Sequence, residues 1–389
     1  MAKIAIPKET VDGETRVALI PNLVSTLTRD KHEVLVQKGA GAAASFVDEE
    51  YTKAGANVVT DSKSLYQQAE IVLKVQPPNT HEAEIMQEGS TYIGFLAPLS
   101  YPEIIDVYIK RRITSFSMEY IPRITRAQGM DALSSMATVA GYKAVLLATE
   151  KLGKMFPLMM TAAGTVPPAT VLILGAGVAG LQAIATAKRL GARVEAFDPR
   201  VAVKEQVKSL GATFVEMEMP EDTETAGGYA KELSPEFIKK EMEAIGSRLP
   251  KVNVVITTAQ VFGKRAPILI TADMVKLLRP GSVIVDLAAE QGGNCELTEA
   301  GKTIEENGVS IIGAVNLPAT IPVDASLMYS KNVINLFRHL YPKSDPSKPG
   351  QTAIPDFDDE IAKGACITRD GEIVNEMVKN SLRQGVKEQ

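Results

Sequence analysis

The chain has 389 residues, too many for one ordinary core, so two domains are expected. Its 45% apolar and 23% charged residues describe a globular protein, and a net charge of −5 without a basic stripe argues against a nucleic-acid binder. Two cysteines, Cys295 and Cys366, lack metal-ligand or CxxC spacing, so neither a disulfide nor a metal site is expected and a reducing compartment fits.

"MAKIAIPKET" enters a strand-like run directly, without the apolar stretch of a signal peptide. No uninterrupted apolar run reaches the roughly 20 residues that span a bilayer, so the chain itself is expected to be soluble. Next come short apolar runs at 3–7, 33–37, 70–75, 90–96 and 113–118, with helical spacing between them at Asn22–Asp30 and Pro102–Arg112. Such alternation predicts a parallel sheet covered by helices.

From Gly129 to about Lys154 there is no proline, and Leu133, Ala137, Ala140, Ala144 and Ala148 recur at spacings of three and four. One long helix with a small-residue face, linking two domains, accounts for that pattern. The stretch 155–169, "MFPLMMTAAGTVPPA", reads either as a loop or as a protruding hairpin used for subunit contact. A second alternating series follows, with strands at 170–174, 192–198, 212–218, 252–258, 282–288 and 309–314, enough for a complete doubly wound domain. A helix over Ala325–Leu340 and a Pro-rich, acidic tail come last. Within the tail, "ACITRDGEIV" (365–374) resembles a short hairpin needing a neighbouring sheet. The expected fold is α/β: two Rossmann-like doubly wound domains with parallel sheets, joined by long helices, with a cleft between them. The first domain is discontinuous, 1–135 plus about 330–389. The second, 136–329, is the dinucleotide-binding one and carries the hairpin segment near 156–168.

"LGAGVAG" places Gly175, Gly177 and Gly180 in GxGxxG spacing, between the buried-strand run "TVLIL" and an amphipathic helix over Val178–Leu190. The following strand ends on Asp198, 23 residues past Gly175. In this context the glycines predict a dinucleotide site. Gly175 permits the tight turn, Gly177 lets the backbone approach a pyrophosphate, and Gly180 lets helix and strand pack closely. Asp198 would accept hydrogen bonds from the adenosine ribose and repel a 2′-phosphate, which favours NAD(H). Arg200, two residues on, could instead hold a phosphate; the strand-end carboxylate outweighs it.

A conventional dehydrogenase needs a general acid/base beside its substrate. The three histidines, His32, His81 and His339, all sit in segments that read as surface, and no first-domain strand would deliver one to a nicotinamide. Lysine and aspartate bases stay possible. Hydride exchange between two nicotinamide rings needs no such group, only binding, orientation and exclusion of water.

Several segments together carry a specific resemblance. They are "PRITRAQGMDALSS", "AGYKAV", "TAAGTVPPA", "GAGVAGLQAIATAKRLGA", "ETAGGYAKE", "RPGSVIVDLAAEQGGNC" and "ITRDG". Nearly the whole chain resembles the NAD(H)-binding component, domain I, of proton-translocating NAD(P)+ transhydrogenase. That resemblance implies NAD(H) on this chain and NADP(H) on a partner domain or subunit. It also implies a membrane-spanning partner that couples hydride transfer to proton movement. A homodimer, cytoplasmic and held at the cell membrane through its partners, is expected. Carried over by position, Arg123, Gln128, Asp131 and Ser134 form the nicotinamide-side loop, with Gln128 facing the partner's site. Tyr229, in a loop with Gly227 and Gly228, is the closing tyrosine. The implied nucleotide-binding set is Gly175, Gly177, Val178, Ala179, Gly180, Asp198, Arg200, Thr258, Ala259, Lys264, Leu287 and Ala288.

Spacing alone also puts Gln128, Asp131 and Ser134 on one face of a helical start, with Asp131 as a first-turn charge favoured by the helix dipole. On that plainer view the arginines are simply solvated. The chain departs from the family pattern at Arg279, where lysine or alanine is usual, and at Val261 and Phe262, where Ile and Pro are usual, which puts local loop shape in question.

Alanine dehydrogenase is the enzyme alternative. Arg16 in "GETRVALIP" and Lys74 in "VLKVQPP" match its keto-acid positions, but Phe95 stands where its catalytic histidine belongs. Phenylalanine cannot shuttle a proton, so Arg16 and Lys74 read as retained structural charges. A non-catalytic NADH-binding module is the remaining alternative; it would have no use for the Arg123–Ser134 loop or for Tyr229.

Overall fold

The structure, a computed structural model, describes residues 1–217, 235–261, 264–342 and 354–385. Tyr229, with Gly227 and Gly228, lies outside the described residues, as do Phe262, Gly263 and much of the acidic tail. The chain forms two compact units, Met1–Met136 with Pro318–Gln389, and Ala137–Leu317.

The first unit opens with β1 (Lys3–Ile6), α1 (Pro21–Arg29), β2 (Glu33–Gln37), α2 (Asp48–Lys53), β3 (Asn57–Val59) and α3 (Ser62–Gln68). β4 (Ile71–Leu73), α4 (Thr80–Ile85), β5 (Thr91–Gly94), α5 (Pro102–Lys110) and β6 (Thr114–Ser117) follow. β4 and β5 are buried along their whole length, as expected of parallel strands covered on both faces. α1 and α5 both start on proline, which costs nothing at a helix N-terminus because the missing N–H has no partner there anyway. Asp61 and Asn79 cap α3 and α4 by accepting from backbone amides of the first turn.

After a 3₁₀ segment at Thr125–Met130, α6 (Ala132–Lys151) carries the chain from one unit into the other. By length and composition it is the one described helix that could cross a bilayer. Yet Ala144, Val145 and Ala148 are packed into the hydrophobic core of the second unit. The ambiguous segment that follows is a hairpin, β7 (Met159–Thr161) paired antiparallel with β8 (Gly164–Val166) and joined to no other sheet.

The second unit continues with β9 (Thr170–Leu174), α7 (Val178–Arg189), β10 (Arg193–Phe197), α8 (Lys204–Ser209), β11 (Thr213–Phe214) and α9 (Pro235–Gly246). β12 (Val254–Thr257), α10 (Ala272–Val275), β13 (Val283–Asp286), β14 (Thr303–Glu306) and β15 (Val309–Gly313) complete it. Its sheet runs β11-β10-β9-β12-β13-β15-β14, parallel except for β14. The chain winds outward from β9 to β11 and then returns to the other side of β9. This reversal is the topological switch point at which open α/β sheets bind ligands. β14 has no signal in the apolar pattern, because an antiparallel edge strand reading "TIEE" buries little of its surface.

The return to the first unit comes at Pro318, where the sequence expectation placed it near residue 330. α11 (Pro322–Leu340) belongs to the first unit over its whole length, since its Ser326 and Ser330 hydroxyls accept from Val17 N and Ile20 N. After α12 (Glu360–Ala365), the "ACITRDGEIV" segment forms β16 (Cys366–Arg369) and β17 (Glu372–Ile373), before α13 (Glu376–Gly385). β16 pairs antiparallel with β6, giving the sheet order β17-β16-β6-β5-β4-β1-β2-β3.

Candidate functional site

Register explains how distant residues of the second unit meet. Phe197 pairs with Leu174, Leu174 with Thr257, and Thr257 with Asp286. The next residue in each strand therefore lies on one row at the carboxyl edge: Asp198, Gly175, Thr258 and Leu287. Four separate stretches of the expected nucleotide-binding set come together there.

Gly175 has φ +97°, and a Cβ on it would lie 2.5 Å from Thr258 Oγ1. The Thr258 hydroxyl donates to Gly175 O at 3.0 Å, so threonine and glycine fix the turn together. A Cβ on Gly180 would lie 1.9 Å from Gly175 O, so only glycine lets α7 start this close to its strand. At Gly177 the nearest atom to an added Cβ is Arg200 Nη2 at 3.9 Å, leaving the backbone approachable. Gly177 caps α7 without any side-chain hydrogen bond, so no side chain competes for the amides of Val178 and Ala179. A twelve-residue helix opening in this way offers an anion backbone donors and a favourable dipole. A dinucleotide pyrophosphate fits that cradle.

Asp198 is buried and its carboxylate is well supplied with donors. Oδ2 accepts from Ala176 N at 2.7 Å and from Arg200 Nη2 at 2.7 Å, while Oδ1 accepts from Arg200 N and Arg200 Nε, both at 2.9 Å. Four donors nearly exhaust the lone pairs of a carboxylate. Arg200 is thus first of all the partner of Asp198, and a ribose hydroxyl would share or replace one of its bonds. Buried Glu241 on α9 lies close enough to feel the Asp198 charge; burial, and then that repulsion, push its carboxyl up to about 7.

Two residues that sequence reasoning passed over organise the neighbouring loops. Fully buried Asp286 accepts from Thr257 Oγ1, Ala288 N, Asn294 N, Cys295 N and Thr298 Oγ1. Asn294 in turn accepts from Ala259 N at 3.0 Å and donates to Ala259 O and Pro267 O at 2.8 Å. Thr258, Ala259, Leu287 and Ala288 are held through this network, with Leu287 N donating to Thr257 O. The available signal was that β13 ends on aspartate, "VIVD", just as "EAFD" does. Lys264 is exposed on the same loop.

The other candidate residues belong to the first unit. Gln128 lies in the 3₁₀ segment, and Asp131, with φ −72° and ψ 87°, breaks the helical path before α6. Asp131 is therefore an N-cap rather than a first-turn charge: Oδ1 accepts from Ser134 N at 2.8 Å and Oδ2 from Ser134 Oγ at 2.5 Å. The even spacing of Gln128, Asp131 and Ser134 does not lie along one helix. Arg126, simply solvated on the plainer view, pairs with Asp359 at 2.6 Å, although it stays half exposed.

Phe95 follows β5, half-buried, with its ring 5.3 Å from that of Tyr329. Glu119 accepts from Leu96 N, Ala97 N and Ser117 Oγ, and burial pushes its carboxyl up. It braces the turn in which Ala97 takes a positive φ of 41°. Lys74 is fully buried between Glu9 at 3.2 Å and Glu82 at 3.3 Å. Buried Arg16 is held by both oxygens of Glu14, at 2.8 and 2.6 Å. Both basic groups thus have internal carboxylate partners. Of the histidines only His81 is exposed; His32, in the turn between α1 and β2, packs edge-on against Phe337, and His339, at the end of α11, hydrogen-bonds Asp359.

Comparison with known proteins bears on this arrangement. The family models described as the N-terminal and C-terminal domains of alanine dehydrogenase/PNT match residues 5–140 and 144–376. The chain is 48% identical over 380 residues to an NAD(P) transhydrogenase subunit alpha protein of Rhodospirillum rubrum, covering 96% of this chain and 98% of that one. It is 28% identical to an alanine dehydrogenase of Mycolicibacterium smegmatis, covering 97% of this chain and 96% of that protein. The crystal structure of a transhydrogenase from Sinorhizobium meliloti superposes with a TM-score of 0.85 at 40% identity, covering 95% of this chain and 99% of the other. An L-alanine dehydrogenase structure gives a TM-score of 0.80 at 26% identity, covering 98% and 99%. Two domain models spanning most of the chain and relatives at this identity place it in the alanine dehydrogenase/PNT family, among the NAD(P) transhydrogenase alpha subunits.

Proposed function

We propose that the chain binds NAD(H) and passes hydride between NADH and NADP+ held by a partner subunit, within a membrane complex that couples the exchange to proton translocation. In that reaction hydride leaves C4 of one nicotinamide for C4 of the other: NADH becomes NAD+ and NADP+ becomes NADPH. No proton enters or leaves the pair, so the chain needs no acid/base group. The phenyl ring of Phe95 at the expected acid/base position carries this reading. The internal pairing of Arg16 and Lys74 supports it, because a keto-acid carboxylate would have to compete with Glu14, Glu9 and Glu82 for these two cations.

The chain's own residues then bind and orient. The α7 N-terminus and its glycines would hold the pyrophosphate, and Asp198 the adenosine ribose, with a charge that disfavours a 2′-phosphate. Arg123, Gln128, Asp131 and Ser134 would orient the nicotinamide, with Tyr229 as the closing residue. Thr258, Ala259, Lys264, Leu287 and Ala288 would line the nucleotide. The exposed hairpin β7–β8 would pair two copies into a homodimer, cytoplasmic and peripheral to the membrane through its partners.

With no tryptophan in the chain, NADH emission reports binding directly. The test mixes the chain with the NADP(H)-binding subunit of a transhydrogenase and follows hydride transfer from NADH to an NADP+ analogue. Transfer that requires both proteins is expected, with NADH bound well ahead of NADPH. NADH oxidation driven by pyruvate and ammonia would overturn the proposal in favour of alanine dehydrogenase chemistry.

A further inference from the structure

The peptide carbonyl of Gly129 lies between two of the proposed nicotinamide-orienting residues, Gln128 and Asp131. Asn332 Nδ2 and Asn335 Nδ2 each donate to it at 2.9 Å. The two asparagines are three residues apart on α11, so one helix face supplies both donors. A carbonyl oxygen has two lone pairs, and both are used. Gly129 also fits its clamp sterically: a Cβ there would lie 2.9 Å from Asn335 Nδ2.

The arrangement is poorly explained by stability alone. Asn332 is 5% exposed, and its Oδ1 has no hydrogen-bond partner among the described residues. A buried, unpaired acceptor is destabilising, and an apolar side chain would avoid it. Among the described residues, the Asn332 side chain makes one hydrogen bond, to the carbonyl of this short 3₁₀ segment. Buried Ala127 and Met130 and the Arg126–Asp359 pair anchor the segment, but its 3₁₀ hydrogen bonds are poorly aligned and Asp131 breaks the helical path after it, so the direction of the Gly129 peptide depends on the two amides.

From this geometry we infer that Asn332 and Asn335 are positioning residues for hydride transfer. By clamping the Gly129 carbonyl they set the direction in which Gln128 and Asp131 are presented. The inference rests on the hydride-transfer reading of the site. It predicts a division of labour: the second unit sets NADH affinity, and the clamp sets how often the bound ring is aligned for transfer. Small errors in alignment are costly for such a reaction.

The experiment uses the full chain with the NADP(H)-binding subunit, measuring NADH affinity by fluorescence and hydride transfer in a single turnover. Asn335 is exposed, so Asn335→Ala leaves the core intact. It is expected to slow transfer about tenfold while changing NADH affinity less than about twofold. Asn335→Asp should be at least as slow, since it sets a carboxylate oxygen against the carbonyl. Gly129→Ala should also be slow, and Gly129→Ala/Asn335→Ala no slower than Gly129→Ala alone, because removing the amide makes room for the methyl group. Transfer unchanged in Asn335→Ala and in Asn332→Ala would overturn the inference, as would transfer and affinity falling in parallel. A wild-type chain that transfers no hydride would overturn the functional reading itself, and the positioning role with it.

Discussion

Glu241 shows how the candidate nucleotide site can tune stability through a single carboxyl. It is buried on α9, and both burial and the neighbouring Asp198 charge raise its pKa, to about 7. The unfolded chain releases this proton near the ordinary carboxyl value, so between about pH 4.5 and 7 the folded state binds more protons than the unfolded one. Stability from this group is therefore complete at low pH and lost as pH rises through about 7. The cost of holding the ionised form at high pH is about 1–3 kcal/mol. In urea unfolding, Glu241→Gln should gain on the wild type by that amount between about pH 5 and 8. Parallel pH profiles for the two proteins would rule this out. Residues of this kind were not legible in the sequence, because Glu241 looks like any other helical glutamate until its burial beside Asp198 is seen. Gly175, Gly177, Gly180 and Asp198 were legible, since the turn chemistry and the strand end are local. The role of Asp131 was half legible: proximity to a helix start was correct, but the break at its own backbone made it a cap. Asp286 and Asn294 escaped because no local pattern marks their partners: Asp286 gathers donors from further along its own connection and from β12, and Asn294 reaches the loop after β12.

At the scale of elements, the parallel strands could be read because burial on both faces makes them continuous apolar runs. β3 and β14 could not, since each lies at a sheet edge and buries too little to enforce a pattern. The small-residue face of α6 was legible as a pattern, and the structure gives it a specific use. A Cβ on Gly141 would lie 2.1 Å from the carbonyl oxygen of Ala179, in the first turn of α7. Backbone meets backbone there, so nothing flexible can yield. Gly141→Ala must push α6 away from the helix end proposed to receive the pyrophosphate. A cost of about 1–3 kcal/mol is expected, with a fall in melting temperature of the order of 5 °C and NADH affinity weakened about tenfold or more. Gly246→Ala is the matched control, because a Cβ there meets no atom closer than 3.9 Å. Equal melting temperatures and NADH affinities for the two variants would show that the contact imposes no constraint.

At the scale of the whole molecule, the hairpin β7–β8 shows where a monomer would be left with uncovered apolar surface. Met160 on β7 is 84% exposed and Leu158 just before it 57%, with Met159 and Met155 also outward, and the two-stranded ribbon joins no larger sheet. An isolated hairpin is at best marginally stable in water, and clustered exposed apolar side chains mark an interaction surface. Pairing of two copies, as proposed, would cover those side chains and stabilise the ribbon together. Leu158→Asp/Met160→Asp places two charges on that surface without touching the core. Sedimentation at micromolar concentration should show a dimer for the wild type and a monomer for the variant, with little change in melting temperature beyond the loss of association. If the variant remains dimeric, or the wild type is already monomeric at tens of micromolar, the hairpin does not pair the subunits. The exposed methionines would then need a different partner, and the proposed membrane-bound complex would have to be assembled from single copies of this chain.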